Sequence, residues 1–239
     1  MITVRVPGFL PSTCGFHFGN SWPHEPTLTI PFPTGPIAIG DAAGGLCGGM
    51  AFAVRDFFQA GEPIPATTTN PPADTPLYDY LVRRLFDSFD IPAGVAKFYT
   101  LQLPFTDQAA ETVRQWPRIR TELDAGRLVC LGLIRVRSFS PAALGHNHQV
   151  LTYGYDEQDG RITLAICDPN HHDTDDVTLS FSTTGAPEVE YAVCGAVVDS
   201  ASHEHTYGAF VQRYLHCTPS AALDAPPIPD PPTDDPTTP

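Results

Sequence analysis

The sequence predicts a single α+β domain in which helices come first and a mostly antiparallel β-sheet follows. Between residues 41 and 126, apolar residues recur at helical spacing. Between residues 127 and 218, short apolar runs are separated by turn signals, which is typical of strands that pair with their neighbours in sequence. We therefore divide the domain (1–218) into a Pro/Gly-rich arm over 1–40, a helical part and a β part, and treat residues 219–239 as a tail.

The acidic composition limits the classes of partner. The chain has 239 residues and a formal net charge of −14, from 13 basic and 27 acidic residues. Such a surface repels phosphate backbones and anionic lipids, so we expect neither nucleic acid nor a membrane as a partner.

The N-terminus, "MITVRVPGFLPSTCG", lacks a basic region followed by an apolar one, and no apolar run approaches the ~20 residues that span a bilayer. We expect a cytoplasmic protein whose six cysteines are reduced, with export that needs no signal peptide as the alternative.

The arm and the helical part follow in order along the chain. Residues 7–40 show no sustained period and are expected to form an ordered loop, which four phenylalanines and Trp22 anchor by packing. A helix is predicted from Cys47 to the stop signals at Gly61 and Pro63, and a second in "TPLYDYLVRRLFDSF", capped by Thr75. A third is predicted in "TDQAAETVRQW", with Pro117 breaking or restarting it before Gly126.

The β part begins with "RLVCLGLIRV", which is apolar on both faces, as a central strand is. The segments "HQVLTYGYD" and "RITLAICD" flank "EQDG" and predict a β-hairpin. Further strands are predicted in "DVTLSFS", "EVEYAVCGAVV" and "YGAFVQRYL". The tail holds eight prolines and four aspartates in 21 positions and is expected to be extended.

Cys47 is the candidate nucleophile. It lies in "GGLCGGM" at the start of the first predicted helix, where the helix dipole and free backbone N–H groups lower the pKa of a thiol. The same N–H groups can hold an oxyanion, and the flanking glycines would let a carbonyl carbon approach the sulfur. The alternative is that the glycines serve tight packing and that Cys47 fills space.

A thiolate nucleophile needs a base, and the base needs an orienting group. A hairpin turn centred on residues 157–160 would place His148 opposite Pro169, beside Asp168. Asp168 or Asn170 would then accept the imidazole N–H. A one-residue shift of register would change this pairing.

The order of these motifs resembles the papain-like cysteine peptidases, in particular the bacterial branch that includes the bacteriocin-processing peptidases. The resemblance covers about residues 40–170 and rests on "GLCGGM", "HQVLTYGYD" and "CDPN", with "LDAGRLVCLGLI" before the histidine. It implies a papain-like fold, in which the Cys47 helix packs on the sheet. It also implies acyl transfer through a thioester on a peptide, isopeptide or related amide, without a cofactor or a metal. Cys47 is then the nucleophile, His148 the base and Asp168 the orienter.

The chain departs from this family six residues before the cysteine, where papain-like enzymes usually have a glutamine that donates to the oxyanion. Here that position is Asp41, whose carboxylate would repel an oxyanion. Losing one such donor costs roughly 10²–10³ in rate. Asn20, in "HFGNSWP", is our candidate for the replacement amide. Without one, the domain is expected to be a slow enzyme or a binding or effector module in which catalysis has lapsed.

Other interpretations remain open at this stage. Transglutaminases and arylamine acyltransferases use the same Cys–His–Asp chemistry. Arg83 and Arg84 would give a basic spot for an acidic substrate group, although a packing helix is the simpler interpretation of that segment. A metal site is conceivable across the hairpin mouth, but the spacing matches no zinc or calcium pattern; its candidate ligands are His146, His148, His171, His172, Asp173, Asp175 and Asp176.

Overall fold

The computed structural model describes residues 1–22, 28–30, 37–40, 45–73 and 75–223. These residues form an α+β fold, as the sequence predicts, with helices packed against an antiparallel sheet. The helices are α1 (Pro11–Cys14), α2 (Cys47–Ala60), α3 (Pro76–Phe89), α4 (Ala93–Gln102), α5 (Gln108–Asp124) and α6 (Pro219–Leu223), and a 3₁₀ helix spans Pro141–His146. The strands are β1 (Ile2–Arg5), β2 (Leu28–Ile30), β3 (Ile37–Gly40), β4 (Val129–Ile134), β5 (His148–Gln158), β6 (Arg161–Cys167), β7 (Val177–Ser182), β8 (Val189–Val193), β9 (Ala196–Val197) and β10 (Gly208–Val211).

The main sheet has the strand order β10-β4-β5-β6-β7-β8-β9, and β1 pairs with β5. Strand β5 is long enough to take two neighbours on one edge. Its first half pairs with β4 and its second half with β1, so the arm contributes a strand that the sequence did not predict. Strands β2 and β3 form a separate two-stranded antiparallel sheet within the loop predicted over residues 7–40.

Helix α2 begins and ends where the sequence predicts. Its C-terminal cap, Gly61, has φ +66°, in the left-handed region that glycine adopts most readily. Helix α3 starts after Thr75, whose hydroxyl accepts a hydrogen bond from the Tyr78 N–H, as expected for an N-cap. The two helices pack closely because Gly49 of α2 has no side chain. A Cβ there would lie 2.0 Å from the Leu81 carbonyl oxygen.

Two helix predictions need correction. Pro117 does not break the third predicted helix, because α5 continues through it to Asp124. Buried residues on either side, among them Trp116 and Ile119, anchor this helix, while Pro117 itself is exposed. Helix α4 was not predicted, and its apolar residues pack in a small second core with Phe210 of β10.

The arm packs as the sequence predicts. The side chains of Phe9, Phe16, Phe18 and Trp22 are all buried in the main core, while Phe32 lies outside the described residues. Residues 219–223 are helical instead of extended, and residues 224–239 of the tail lie outside the described part. In the described part of the chain, no helix has the length and the apolar character that crossing a bilayer requires.

Candidate active site

Cys47 is the first residue of α2, and its side chain is half-buried. The first N–H groups of a helix have no acceptor within the helix, so they face whatever lies before the N-terminus. The neighbouring glycines serve packing. A Cβ on Gly48 would lie 2.3 Å from Ser88 Oγ, and one on Gly45 would lie 2.4 Å from Asn20 Nδ2. The glycines thus let α3 and the arm approach the segment that carries the thiol.

His148 is the first residue of β5, opposite Leu133 of β4, and only 4% of it is exposed. Its Nε2 donates to Oδ1 of Asp168 at 2.7 Å, and Asp168 follows the last residue of β6. His148 also lies close enough to the Cys47 thiol to lower its pKa, through its charge and a side-chain hydrogen bond. Because Nε2 is taken by Asp168, Nδ1 is the ring nitrogen left for the sulfur. The imidazole therefore lies between the thiol and the carboxylate.

The register of the β5–β6 hairpin differs from the predicted one. Gln158 pairs with Arg161 across the two-residue turn Asp159–Gly160, in which both residues have positive φ (51° and 80°). Asp-Gly is a favoured sequence for such a turn. The pairing then shifts by one residue between Thr152 and Gly154, where Tyr153 is the extra residue of a β-bulge. The predicted pairing of His148 with Pro169 is therefore wrong.

Asp168 accepts hydrogen bonds from four groups, although only 2% of it is exposed. Besides His148, the donors are the backbone N–H of Asn170 at 2.7 Å, the hydroxyl of Tyr191 and Nη2 of Arg135 at 3.4 Å. Of the two acceptors that the sequence left open, Asp168 is therefore the one that binds the imidazole. Asn170 instead donates its backbone N–H to that carboxylate.

The charges of the three groups support one another. Burial raises the pKa of Asp168. The charge and hydrogen bond of His148, the charge of Arg135 and the hydrogen bond from Tyr191 together have a larger opposite effect, and they hold this pKa well below its usual range. Burial and the Arg135 charge lower the pKa of His148, but the negative charges of Asp168 and Cys47 raise it to about 9.

Burial also raises the pKa of the Cys47 thiol. The His148 charge and hydrogen bond, together with a hydrogen bond from the Gln149 backbone N–H, outweigh this effect and lower the pKa below its ordinary value. The arrangement therefore favours a thiolate beside an imidazolium. Cys130 is the contrast, because burial raises the pKa of its thiol to about 11.

Asn20 lies at the start of α2. Its Oδ1 accepts the Leu46 N–H at 2.6 Å, and its Nδ2 donates to Oδ1 of Asn170 at 2.9 Å. The Leu46 N–H fixes which amide atom is the oxygen, because only an oxygen can accept it. The amide of Asn20 is thus held next to the residue that precedes Cys47. Asp41, the residue at the usual glutamine position, lies outside the described residues.

Two cavities flank the site. A cleft of about 690 Å³ has His148, Asn20 and Arg135 in its walls, whereas a cavity of about 20 Å³ lies beside Cys47. Gly145 and Asn147 line both of them. The small cavity has room for about one water molecule. The large cleft has room for a much larger group, and it reaches the site on the His148 side.

Three residues contribute to the site although the sequence did not predict them. Arg135 directly follows the buried strand β4. A charged residue at the end of a buried strand is a local signal that could have marked it as a candidate site residue. Tyr191 lies 23 residues from Asp168 on β8, and nothing in the local sequence indicates its contact. The role of Gln149 depends on its backbone N–H, which no sequence pattern reveals.

The basic spot proposed for α3 is wrong for Arg84. Only 3% of this residue is exposed, and its guanidinium forms an ion pair with the fully buried carboxylate of Asp56 at 2.7 Å. It also binds Asp87 at 2.7 Å. Arg84 is therefore a neutralised part of the core that joins α2 to α3, which agrees with the simpler interpretation of a packing helix.

Three candidate ligands of the metal site have other partners. His171 lies 3.2 Å from a carboxylate oxygen of Glu204, and Asp173 pairs with His17. Asp175 accepts hydrogen bonds from the backbone and side chain of Ser12. Within the described ranges, no three His, Cys, Asp or Glu side chains are grouped to hold a metal ion.

The chain matches no family model, no curated protein and no solved structure.

Proposed function

We propose that this protein is a cysteine-dependent hydrolase or acyltransferase of the papain-like type, which acts on a peptide, isopeptide or related amide bond. The observation that carries the proposal is the position of the His148 imidazole between the Cys47 thiol and the buried carboxylate of Asp168. Three separate segments, the start of α2, the start of β5 and the end of β6, contribute one group each. A nucleophile, a base and an orienter in hydrogen-bond contact are the requirements of covalent acyl transfer.

In the proposed reaction, the Cys47 thiolate attacks the carbonyl carbon of the amide, and the C–O π electrons move to the oxygen. The backbone N–H of Cys47 lies at the N-terminus of α2, where an oxyanion is stabilised. Asn20 is the side chain we assign as the second donor, because it is held at the same helix end. The tetrahedral intermediate collapses when the His148 imidazolium gives its proton to the leaving amine. A thioester on Cys47 and a free amine are the products of this half-reaction.

The second half-reaction regenerates the thiolate. Neutral His148 takes a proton from water, or from an acceptor amine or alcohol, as that group attacks the thioester carbon. The C–S bond breaks, the acyl group leaves as an acid or as a new amide or ester, and the imidazolium–thiolate pair is restored. Asp168 keeps the imidazole oriented through Nε2 and stabilises its positive charge.

Alkylation is the first test, because it depends on Cys47 alone and not on a known substrate. Iodoacetamide labelling is followed by peptide mass spectrometry between pH 5 and 9. At pH 6 we expect Cys47 to react about tenfold or more faster than the exposed Cys194, because the charge of His148 favours the thiolate form of Cys47. The buried Cys130 serves as the unreactive reference.

Two variants separate a specific pair from a generally reactive thiol. His148→Ala should slow the labelling of Cys47 at pH 6 by about tenfold or more, because the positive charge that lowers its pKa is lost. His172→Ala is the matched control, because His172 lines the same cleft without contributing to the pKa shift of Cys47. Labelling of Cys47 at the rate of Cys194, with no effect of His148→Ala, would refute the proposal.

A second measurement distinguishes an enzyme from a module in which catalysis has lapsed. With p-nitrophenyl acetate, an enzyme should release p-nitrophenolate in a burst followed by steady turnover, with an acetyl group on Cys47. A reactive thiol that is acylated once and never turns over would support the binding module instead. Asn20→Ala should lower the burst rate by roughly 10²–10³ if its amide supplies an oxyanion donor.

A further inference from the structure

Arg135 is bound much less completely than a buried guanidinium usually is. Only 4% of its side chain is exposed, and its single side-chain hydrogen bond to a described residue is the 3.4 Å contact between Nη2 and Asp168. The buried Nε has no hydrogen-bond partner among the residues that the structure describes. A guanidinium carries five N–H donors, and burying them without acceptors costs free energy. The site therefore holds more donor capacity than Asp168 uses.

Asp168 does not need Arg135 as its main partner. Its carboxylate already accepts from His148, Tyr191 and the Asn170 backbone, all at shorter distances than the Arg135 contact. The ring of Tyr191 also lies 5.2 Å below the guanidinium and supports its position. A purely structural role thus leaves most of the donors of Arg135 unexplained.

The large cleft that Arg135 lines differs in composition from the acidic protein as a whole. The chain carries a net charge of −14, yet the described residues lining this cleft include no carboxylate. Besides Arg135 and His148, its walls contain three further histidines, whose imidazoles offer N–H donors. They are His146, His172 and His203.

We propose that this cleft binds a carboxylate group of the substrate and that the Arg135 guanidinium is the principal partner of that carboxylate. The inference rests on the proposed function and names its substrate class, amides that carry a carboxylate near the bond attacked by Cys47. The carboxylate is either an acidic side chain or a chain terminus, since both offer the same two oxygens. Arg135 is connected to His148 through Asp168, so a carboxylate bound there lies near the catalytic imidazole. A planar carboxylate matches the fork of donors that a guanidinium presents.

A pair of alkylating reagents tests the proposal without a known substrate. Iodoacetate and iodoacetamide both alkylate the thiolate through their CH₂ carbon and release iodide, but only iodoacetate carries a carboxylate. We divide the rate of Cys47 labelling by iodoacetate by its rate of labelling by iodoacetamide. This ratio does not depend on the thiolate fraction, because both reagents react with the same thiolate. We expect this ratio to fall by about tenfold in Arg135→Gln and to stay unchanged in Arg137→Gln. Arg137 is the matched control, because it binds Gln108 outside the cleft.

Arg135→Gln also has an indirect effect, which would change the ratio of labelling rates in the opposite direction. Arg135 lowers the pKa of His148, so its removal favours the imidazolium and would raise the preference for iodoacetate. A fall in the ratio therefore reports the loss of a carboxylate partner. An unchanged or increased ratio in Arg135→Gln would overturn the proposal. Slow reaction of Cys47 with iodoacetamide would instead refute the proposed function.

Protection of the unaltered protein provides a test that does not depend on how the variant folds. At constant ionic strength, N-acetylalanine and N-acetylaspartate amide should slow the labelling of Cys47 by iodoacetamide, whereas neutral N-acetylasparagine amide should not. Protection by the first alone identifies a chain terminus, and protection by the second alone identifies an acidic side chain. Equal effects of all three compounds, or no protection by either acid, would overturn the proposal.

Discussion

His148 and Asp168 lie on the same face of the sheet because a β-bulge at Tyr153 shifts the pairing of β5 and β6 by one residue. Between the turn and Gly154, paired residue numbers sum to 319, and from Thr152 on they sum to 318. The shifted register, continued past Cys167, places Asp168 opposite Val150, which shares a face with His148. The unshifted register would place it opposite Leu151, on the other face.

Removing the bulge should therefore separate the two groups. We expect deletion of Tyr153 to lower the rate of Cys47 alkylation at pH 6 by about tenfold or more, because His148 loses the carboxylate that raises its pKa. Tyr153→Ala is the control. It keeps the extra residue but loses the buried ring and the hydrogen bond from its hydroxyl to the Asp175 carbonyl, at a cost of about 3–5 kcal/mol in stability. Fast alkylation in the deletion variant, with circular dichroism showing a folded protein, would contradict this explanation.

Asp168→Asn should destabilise the protein in a pH-dependent manner. The pKa of Asp168 is lowered in the folded state, so its charge contributes stability above the unfolded pKa of ~3.9 that is lost as the pH falls. We expect a deficit of about 3 kcal/mol at pH 7 that narrows below pH 4, measured by urea unfolding. A deficit independent of pH would show that the carboxylate is not ionised in the folded state.

The same substitution should change the titration of His148. Without the Asp168 charge, the pKa of the imidazole should fall below about 9, which NMR of the histidine ring protons would follow. The controls are His146→Ala and His172→Ala, which identify the resonances of two other cleft histidines. A pKa that stays near 9 would mean that Cys47 alone supports the imidazolium.

Alanine substitutions at Gly48 and Gly49, which follow Cys47, should differ in their cost to stability. Gly49→Ala places a Cβ 2.0 Å from a backbone oxygen of α3, and we expect a loss of about 3 kcal/mol or more in unfolding free energy. Gly48→Ala meets the side-chain ends of Ser88 and Gln149, which are able to move. It should therefore cost less stability than Gly49→Ala. Equal costs in urea unfolding would contradict the packing argument.

The buried ion pair between Asp56 and Arg84 should be costly to break. Asp56→Ala leaves a buried guanidinium without its main counterion, and two tyrosine hydroxyls, of Tyr80 and Tyr214, lose their acceptor. We expect a loss of about 3–5 kcal/mol, measured by urea unfolding. Glu190→Ala breaks the exposed pair with Arg161 and should cost less than about 1 kcal/mol. Similar losses for the two variants would refute the importance assigned to burial.

The sequence predicts those elements whose signals are local. Helix α2 has an apolar stripe and a glycine stop, and α3 has a threonine cap and a proline in its first turn, so both were confirmed. Helix α4 was missed, because its apolar residues acquire a common face only against β10. Helix α5 was cut short at Pro117, because the buried residues that anchor it on either side are a tertiary feature.

By itself, the sequence determines the α+β order and the position of Cys47 at a helix start. It also determines that His148 begins one strand and that Asp168 follows the end of the next. These features follow from periodicity, turn residues and chain order, all of which are local. Only the tertiary structure decides that the bulge at Tyr153 turns Asp168 towards His148, and that Tyr191 and Arg135 converge on the carboxylate. A one-residue shift changes the face of every side chain beyond it, and contacts between distant strands leave no periodic trace in the sequence.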